Sequence, residues 1–305
     1  MLRNNIKNNY PRVSIVNCVS EAIEMLRFSS EQLIENAGTD NFDYIIVCWN
    51  TTPSVDEYIA KLNNKYIKTR PKMKVFRIDH KEIPSIGYVP NLRAMINEGF
   101  NKAFELNQYG GLVNTDQAFY ENWLINLVKH CNPEKAISSV VATPKAIGSH
   151  HQIDFGITEY GKFNINGFSE FCKRIIKSGK LISESELKGQ QNIEYLSFLG
   201  LPCLFPREMW LKAGPWELTI SSGTPDVNFF KRAHKNGFEF TRSCDSITYH
   251  LEGGERGKAG RSAPSFSKNM EYEPIPFFAK LRIKSKIRFY RLLKKLGIIK
   301  KESII

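Results

Sequence analysis

The chain has 305 residues, of which 42% are hydrophobic and 24% charged, a composition typical of a folded globular protein and unlike that of a disordered chain. No run of about 18 apolar residues occurs, which argues against a membrane-spanning helix, and we expect no secretory signal because residues 1–12 lack an apolar core. Ten of the twelve net positive charges come from residues 280–301, which carry ten Lys or Arg and no acid; 33 basic and 31 acidic residues remain elsewhere. We therefore expect no nucleic-acid partner.

Six cysteines are scattered singly, with no C-x-x-C pair: Cys18, Cys48, Cys131, Cys172, Cys203 and Cys244. Zinc sites and disulfide frameworks both use cysteines at characteristic paired spacings. We therefore expect reduced thiols and a cytoplasmic protein.

The first half of the chain alternates short apolar runs with helical patterns, which predicts βαβ units on a mixed, mostly parallel α/β sheet flanked by helices. Strands are predicted at 13–16, 44–48, 74–78 and 111–113. Helices are predicted between Ser20 and Gly38 and over 92–104 and 123–128, where apolar residues recur at helical spacing.

The second half is less regular. Residues 143–195 are rich in Gly, Ser, Asn and Lys and are interpreted as an elaborated connection. A short helix is predicted from Thr224-Pro225-Asp226 to Gly237, because Thr, Pro and Asp suit its first positions. An extended segment over 238–249 follows and ends at His250.

Polar residues follow three of the predicted strands, at 17–20, 49–52 and 114–116. Ligands of open parallel sheets bind outside the carboxyl ends of the strands, so these clusters are the candidate site. Asp116, flanked by amide and hydroxyl oxygens, is suited to Mg²⁺ or Mn²⁺. An alternative remains open, in which Asp116 only caps the following helix.

Common nucleotide-binding motifs are missing. The sequence has no G-x-x-x-x-G-K-[ST], which excludes a P-loop, and no G-x-G-x-x-G after the first strand, which leaves a dinucleotide site unsupported. Cys18 does not lie in a nucleophile elbow, so a thiol enzyme is poorly supported. A nucleotidyltransferase is also disfavoured, because residues 17–21 lack glycine.

Taken in chain order, segments between about residues 11 and 255 resemble the GT-A glycosyltransferases of family 2, which are inverting and use nucleotide sugars. The resemblance rests on seven segments: the strand at 13–16, the strand and turn at 44–52, Asn97-x-Gly99-x-x-x-Ala103, Asn114-Thr115-Asp116, the strand and glycine turn at 200–216, Thr224-Pro225-Asp226 with Arg232 and Gly237, and Tyr249-His250.

The resemblance implies a mechanism and a set of site residues. Asp116 and His250 would hold a divalent cation, Mn²⁺ or Mg²⁺, at the donor diphosphate, and Asn114 would contact the ribose or the cation's water shell. Asp226 would be the general base that deprotonates the acceptor hydroxyl for inverting attack. The other donor-binding residues would be Cys18, Ser20, Trp49, Asn50, Asn91, Asn97, Thr115 and Arg256.

Four departures from the family pattern leave the donor open between UDP-, GDP- and dTDP-sugars. Trp49 replaces a base-reading Asp, Asn114 the first acid of D-x-D, Pro225 an acid before the base, and Ser20 a frequent Tyr. Asp226 and His250 also have purely structural interpretations, as a helix-capping acid and a hydrogen-bonded strand-end histidine.

We interpret 1–260 as a catalytic domain and 261–305 as a basic extension with an amphipathic helix. That helix either attaches to an anionic membrane or packs on the domain. Arg256 belongs either to a lid over the diphosphate or to a solvated loop. The expected protein is a hexosyl- or deoxyhexosyltransferase of polysaccharide biosynthesis, free in the cytoplasm or peripheral on a membrane, with a glycan or lipid-linked acceptor. The alternatives are a non-catalytic donor-binding homologue and an adaptor that uses the basic tail.

Overall fold

The computed structural model describes residues 10–20, 23–83, 88–143, 151–152, 155, 163–178, 201–218 and 225–251. The strands are β1 (Val13–Val19), β2 (Phe42–Cys48), β3 (Lys74–Asp79), β4 (Tyr109–Val113), β5 (Gln117–Phe119), β6 (Lys135–Thr143), β7 (His151–Gln152), β8 (Cys203–Pro206) and β9 (Glu239–His250). The helices are α1 (Ile23–Glu35), α2 (Pro53–Tyr66), α3 (Tyr88–Leu106), α4 (Trp123–Val128), α5 (Ile165–Ser178), α6 (Arg207–Ala213) and α7 (Pro225–Lys235).

The strands form one sheet in the order β3-β2-β1-β4-β8-β6-β9-β5, and β7 pairs with β6. Five of the eight pairings among the described strands are parallel: β1 with β2 and β4, β2 with β3, and β6 with β7 and β9. The remaining pairings are antiparallel, β4 and β6 with β8 and β5 with β9. The predicted mixed, mostly parallel α/β sheet is therefore confirmed.

Helices cover both faces of this sheet because the strand residues alternate in direction. On β1, Val13 and Ile15 pack into a core with α1, α2 and α4. Val16 belongs to a second core with α3, α6 and α7. A third cluster, around α5 and the end of β9, contains Phe168 and Tyr249. Because both faces of the sheet are packed against helices, the sheet is a rigid support for the residues at the ends of its strands.

Several predicted elements have the expected positions with shifted bounds. The first strand extends to Val19, and α1 begins at Ile23 and ends before Gly38, whose φ of +71° suits glycine. Elements the sequence did not indicate are α2, α6, β5, β6 and β7, together with α5 inside the segment that was interpreted as a connection.

The basic extension 261–305 and Arg256 lie outside the described residues. Among the helices that the structure describes, none is both long and apolar enough to cross a bilayer.

Candidate functional site

The carboxyl ends of four neighbouring strands form the edge that carries the candidate site. The parallel register aligns Val19 with Cys48 on β1 and β2, and Asn17 with Val113 on β1 and β4. The strand pairing continues past the strand ends, since the Trp49 amide donates to the Val19 carbonyl at 3.0 Å. The segments after β1, β2, β3 and β4 therefore share one edge, as the sequence predicted for three of them.

Asp116 and His250 come together at this edge. Their Oδ1 and Nε2 atoms are 3.2 Å apart, and the side chains are 15% and 26% exposed. The backbone sets this distance: Gln117 is the register partner of His250 in the β5–β9 ladder, and the Leu251 amide donates to the Asp116 carbonyl at 2.8 Å. The backbone of both residues is therefore fixed, and their partly exposed side chains are accessible to a ligand.

The pair has the geometry of two neighbouring ligands on one divalent cation. Octahedral coordination with bonds of about 2.1 Å separates adjacent ligand atoms by about 3 Å. A carboxylate oxygen with an imidazole nitrogen is a donor set that Mn²⁺ accepts. No group of three or more His, Cys, Asp or Glu side chains suited to a metal occurs in the described part of the chain. Mg²⁺ is commonly held by one or two protein ligands together with substrate phosphates.

The segment before Asp116 is held through its backbone. The Asn114 amide donates to Oε1 of Gln117 at 2.9 Å, and the Asn114 carbonyl accepts from the Ser29 hydroxyl at 3.3 Å. Asn114 and Thr115 are both partly exposed. The alternative in which Asp116 caps a helix is wrong, because β5 follows it directly.

Asn91, predicted for the nucleoside pocket, is fully buried and fixes the segment after β3. Its Oδ1 accepts from the Ile83 amide at 2.8 Å, and its Nδ2 donates to the Ile83 carbonyl at 3.1 Å. These two bonds orient the amide so that Oδ1 also faces Nε2 of His80 at 3.0 Å. Because Oδ1 can only accept, Nε2 of His80 carries a proton.

His80 links this corner to Trp49. The rings of Trp49 and His80 meet edge to face, 6.0 Å between centroids, and Nδ1 of His80 lies 3.0 Å from Oε1 of Glu98. Neither His80 nor Glu98 belongs to the site residues predicted from the sequence. The one signal for His80 in the sequence is its position directly after the third strand, as Trp49 follows the second. Its contacts with Asn91 and Glu98 join separate segments and leave no local pattern.

The thiols at this edge are held protonated. Burial raises the pKa of Cys18 well above its usual range, and the nearby Glu98 and Cys48 raise it further. Burial also raises the pKa of Cys48 to about 11. A thiol in this state is a weak nucleophile, so Cys18 can contribute to a pocket by shape but not by covalent chemistry.

Ser20 and Asn50 lie just after the carboxyl ends of β1 and β2. Ser20 is half-buried after β1, and Asn50 is exposed after Trp49 with a φ of +50°. Asn tolerates this left-handed conformation better than most residues. Both side chains are accessible where the resemblance expects a nucleoside.

A second cluster surrounds the turn at 213–217. The side chain of Asn97 pairs with the backbone of Trp216 in both directions, each bond at 2.9 Å. Arg93 donates to the Glu217 carbonyl at 3.0 Å. From α7, Arg232 donates to two turn carbonyls and to Oε1 of Glu217 at 2.8 Å. The amide of Asn97 is thus engaged in holding the turn rather than exposed for a ligand.

Asp226 lies in the first turn of α7 and belongs to this second cluster. Burial lowers the pKa of Arg93, and the negative charges of Glu217 and Asp226 act in the other direction. Asp226 is half-buried, so a ligand can still approach it.

No protein-family model and no curated protein matches the sequence. Solved structures do match the fold. The mannosyltransferase PcManGT from Pyrobaculum calidifontis, solved with GDP-Man and Mn²⁺, matches with a TM-score of 0.50 at 14% identity over 83% of this chain. The chain spans 60% of that protein's length.

Two further glycosyltransferase structures match more distantly. GalNAc-T7, solved with UDP, GalNAc and Mn²⁺, has a TM-score of 0.45 at 14% identity, covering 81% of this chain and 45% of its own. TarS from S. aureus has a TM-score of 0.44 at 12% identity, covering 77% and 36%. The likeness to PcManGT shows that the chain shares the mixed α/β fold of that protein.

Proposed function

We propose that this protein is a metal-dependent, inverting glycosyltransferase that uses a nucleotide-sugar donor. The observation that carries the proposal is the convergence of Asp116 and His250, 3.2 Å apart, at the carboxyl edge of the sheet. The likeness to PcManGT supports the fold on which this site is built. A GDP-, UDP- or dTDP-sugar remains the expected donor.

Donor binding is assigned to the strand-end segments. Asp116 and His250 would hold Mn²⁺ or Mg²⁺, which when bound supplies neutralisation of the charge that develops on the diphosphate leaving group. The nucleoside pocket would be lined by Trp49, Ser20 and Asn50. The partly buried Cys18 and the fully buried Asn91 would form walls of this pocket, and Asn114 and Thr115 would face the ribose and diphosphate.

Acceptor activation is assigned to Asp226. The carboxylate would accept the proton of the acceptor hydroxyl while that oxygen attacks the anomeric carbon from the face opposite the diphosphate. Arg93 and Arg232 hold the turn at 213–217, which forms a rigid wall beside the helix that carries Asp226. One base on one face is sufficient for an inverting displacement.

The test is a thermal-unfolding screen with GDP, UDP, dTDP and their sugar conjugates, each with and without Mn²⁺. A ligand at ~100 times its dissociation constant stabilises by about 2.7 kcal/mol, so the expected result is a Mn²⁺-dependent rise in melting temperature with one nucleotide. The absence of any rise contradicts the proposal. A rise without sugar transfer to any glycan acceptor instead favours a non-catalytic donor-binding protein, the alternative that Asn114 in place of an acid suggests.

A further inference from the structure

Gln117 connects the segment before Asp116, the strand that ends at His250 and the segment before β8. The residue is the first of β5, and it is 1% exposed. Its Oε1 accepts from the Asn114 amide at 2.9 Å, and its Nε2 donates to the Leu201 carbonyl. Its backbone is the register partner of His250. One buried side chain therefore spans from the segment before Asp116 to the segment before β8.

The bond to Asn114 closes a short turn that contains Asp116. A side-chain acceptor on the first amide of a turn fixes the backbone of the residues between them. Asp116 is one of those residues, and its carbonyl is held separately by the Leu251 amide. The position of the Asp116 carboxylate relative to His250 therefore depends on both ends of the turn.

We propose that Gln117 is a positioning residue that holds the 114–116 turn so that Asp116 and His250 face one divalent cation together. This inference rests on the proposed function, because it concerns the cation-binding pair. Groups that orient ligands from behind typically change metal affinity by about 10- to 100-fold when they are lost. Gln117 touches neither the cation nor the donor in this role.

The Leu201 carbonyl provides a matched control, because it accepts from two side chains. Thr248, on β9, places its hydroxyl 3.5 Å from the same carbonyl and is also fully buried. Thr248→Val removes a bond to Leu201 but leaves the bond between Gln117 and Asn114. Gln117→Met removes both bonds of Gln117 at nearly constant length, and Gln117→Glu retains the acceptor for Asn114.

The experiment measures Mn²⁺ binding by the electron paramagnetic resonance of free Mn²⁺, in the presence of GDP or UDP, for the full chain. The expected result is binding about 10- to 100-fold weaker in Gln117→Met and within twofold of wild type in Thr248→Val. Metal-free melting temperature is recorded for each variant, since a purely structural role would lower it without changing Mn²⁺ affinity in the folded protein. Gln117→Glu loses the donor to the Leu201 carbonyl but should retain Mn²⁺ binding, because it keeps the acceptor for the Asn114 amide.

Two results overturn the inference while the proposed function stands: wild-type affinity in Gln117→Met, or equal weakening in Gln117→Met and Thr248→Val. If Gln117→Met does not fold, loss of Mn²⁺ binding in folded Gln117→Glu overturns it, because the bond to Asn114 is then not the one that matters. Absence of binding in wild type contradicts the proposed function and the inference with it.

Discussion

The Oδ1 atom of Asp116 lies 3.2 Å from Nε2 of His250, a contact created by the β5–β9 ladder rather than by closeness in sequence. Two interpretations of this contact differ in what happens when a cation is offered. If the contact is an ion pair or hydrogen bond that only stabilises the fold, nucleotide binding does not depend on Mn²⁺. A ligand pair makes nucleotide binding depend on it.

We expect Asp116→Ala and His250→Ala each to abolish the Mn²⁺-dependent rise in melting temperature with the nucleotide that wild type binds. The reason is that each variant removes one of the two protein donors of the proposed cation site. Asp245→Asn is the matched control, because it removes one carboxylate from the same strand β9, where Asp245 pairs with Lys129. An undiminished Mn²⁺-dependent rise in Asp116→Ala would show that the contact is structural.

Asp226→Asn should lower the rate of sugar transfer by about 10²- to 10⁴-fold, the usual contribution of a general base, with donor affinity unchanged. Glu208→Gln provides a comparison, because Glu208 is also an acidic residue in the first turn of a helix, the neighbouring α6. That variant should retain wild-type transfer. Near-normal turnover in Asp226→Asn would exclude Asp226 as the base.

The sequence predicted the sheet and the strand-end clusters because both depend on local patterns. Gly99, in the Asn97-x-Gly99-x-x-x-Ala103 motif, has a structural role that the sequence alone did not reveal. A Cβ at Gly99 would lie 2.3 Å from Cγ1 of Val16, so this glycine lets α3 approach β1. The motif that supported the resemblance is therefore a packing motif at this position.

Other features could not be predicted because they arise from contacts between distant segments. The strand β5 has three residues and exists because it pairs with β9. Its backbone sets Asp116 against His250, although the sequence separates them widely. His80 was missed for a similar reason, since its importance comes from Asn91 and Glu98 on α3.

Asn97 illustrates how the structure changes the expectation for a candidate donor-binding residue. Because its amide pairs in both directions with Trp216, we expect Asn97→Ala to lower the free energy of unfolding by about 2–4 kcal/mol. Asn101→Ala, on the same helix, loses one bond from Trp210 at 3.3 Å and should cost about 1 kcal/mol or less. Urea unfolding measures both, and nucleotide affinity in the folded Asn97→Ala protein should equal that of wild type. Weakened nucleotide affinity with normal stability would restore the donor-binding role.

The buried thiols predict that stability falls in alkaline solution. Burial raises the pKa of Cys48 to about 11 and that of Cys131 to about 12, from ordinary values near 9. Above pH 9 the unfolded chain releases these protons while the folded protein retains them, so the unfolded state is favoured as pH rises. The stabilisation is fully present below pH 9 and, for Cys48, is lost progressively between about 9 and 11.

Each such thiol should contribute a slope of up to about 1.4 kcal/mol per pH unit in that interval. Urea unfolding at pH 7.5, 9 and 10 measures the slope, and Cys48→Ala should reduce it by about one proton's share. The raised pKa of Tyr44, about 12, extends the loss at higher pH, because this phenol is also buried. A free energy of unfolding that stays constant from pH 7.5 to 10 would mean that these thiols ionise as readily in the folded protein as in the unfolded chain. In that case the surroundings of Cys48 and Cys131 would be open to water in the folded protein.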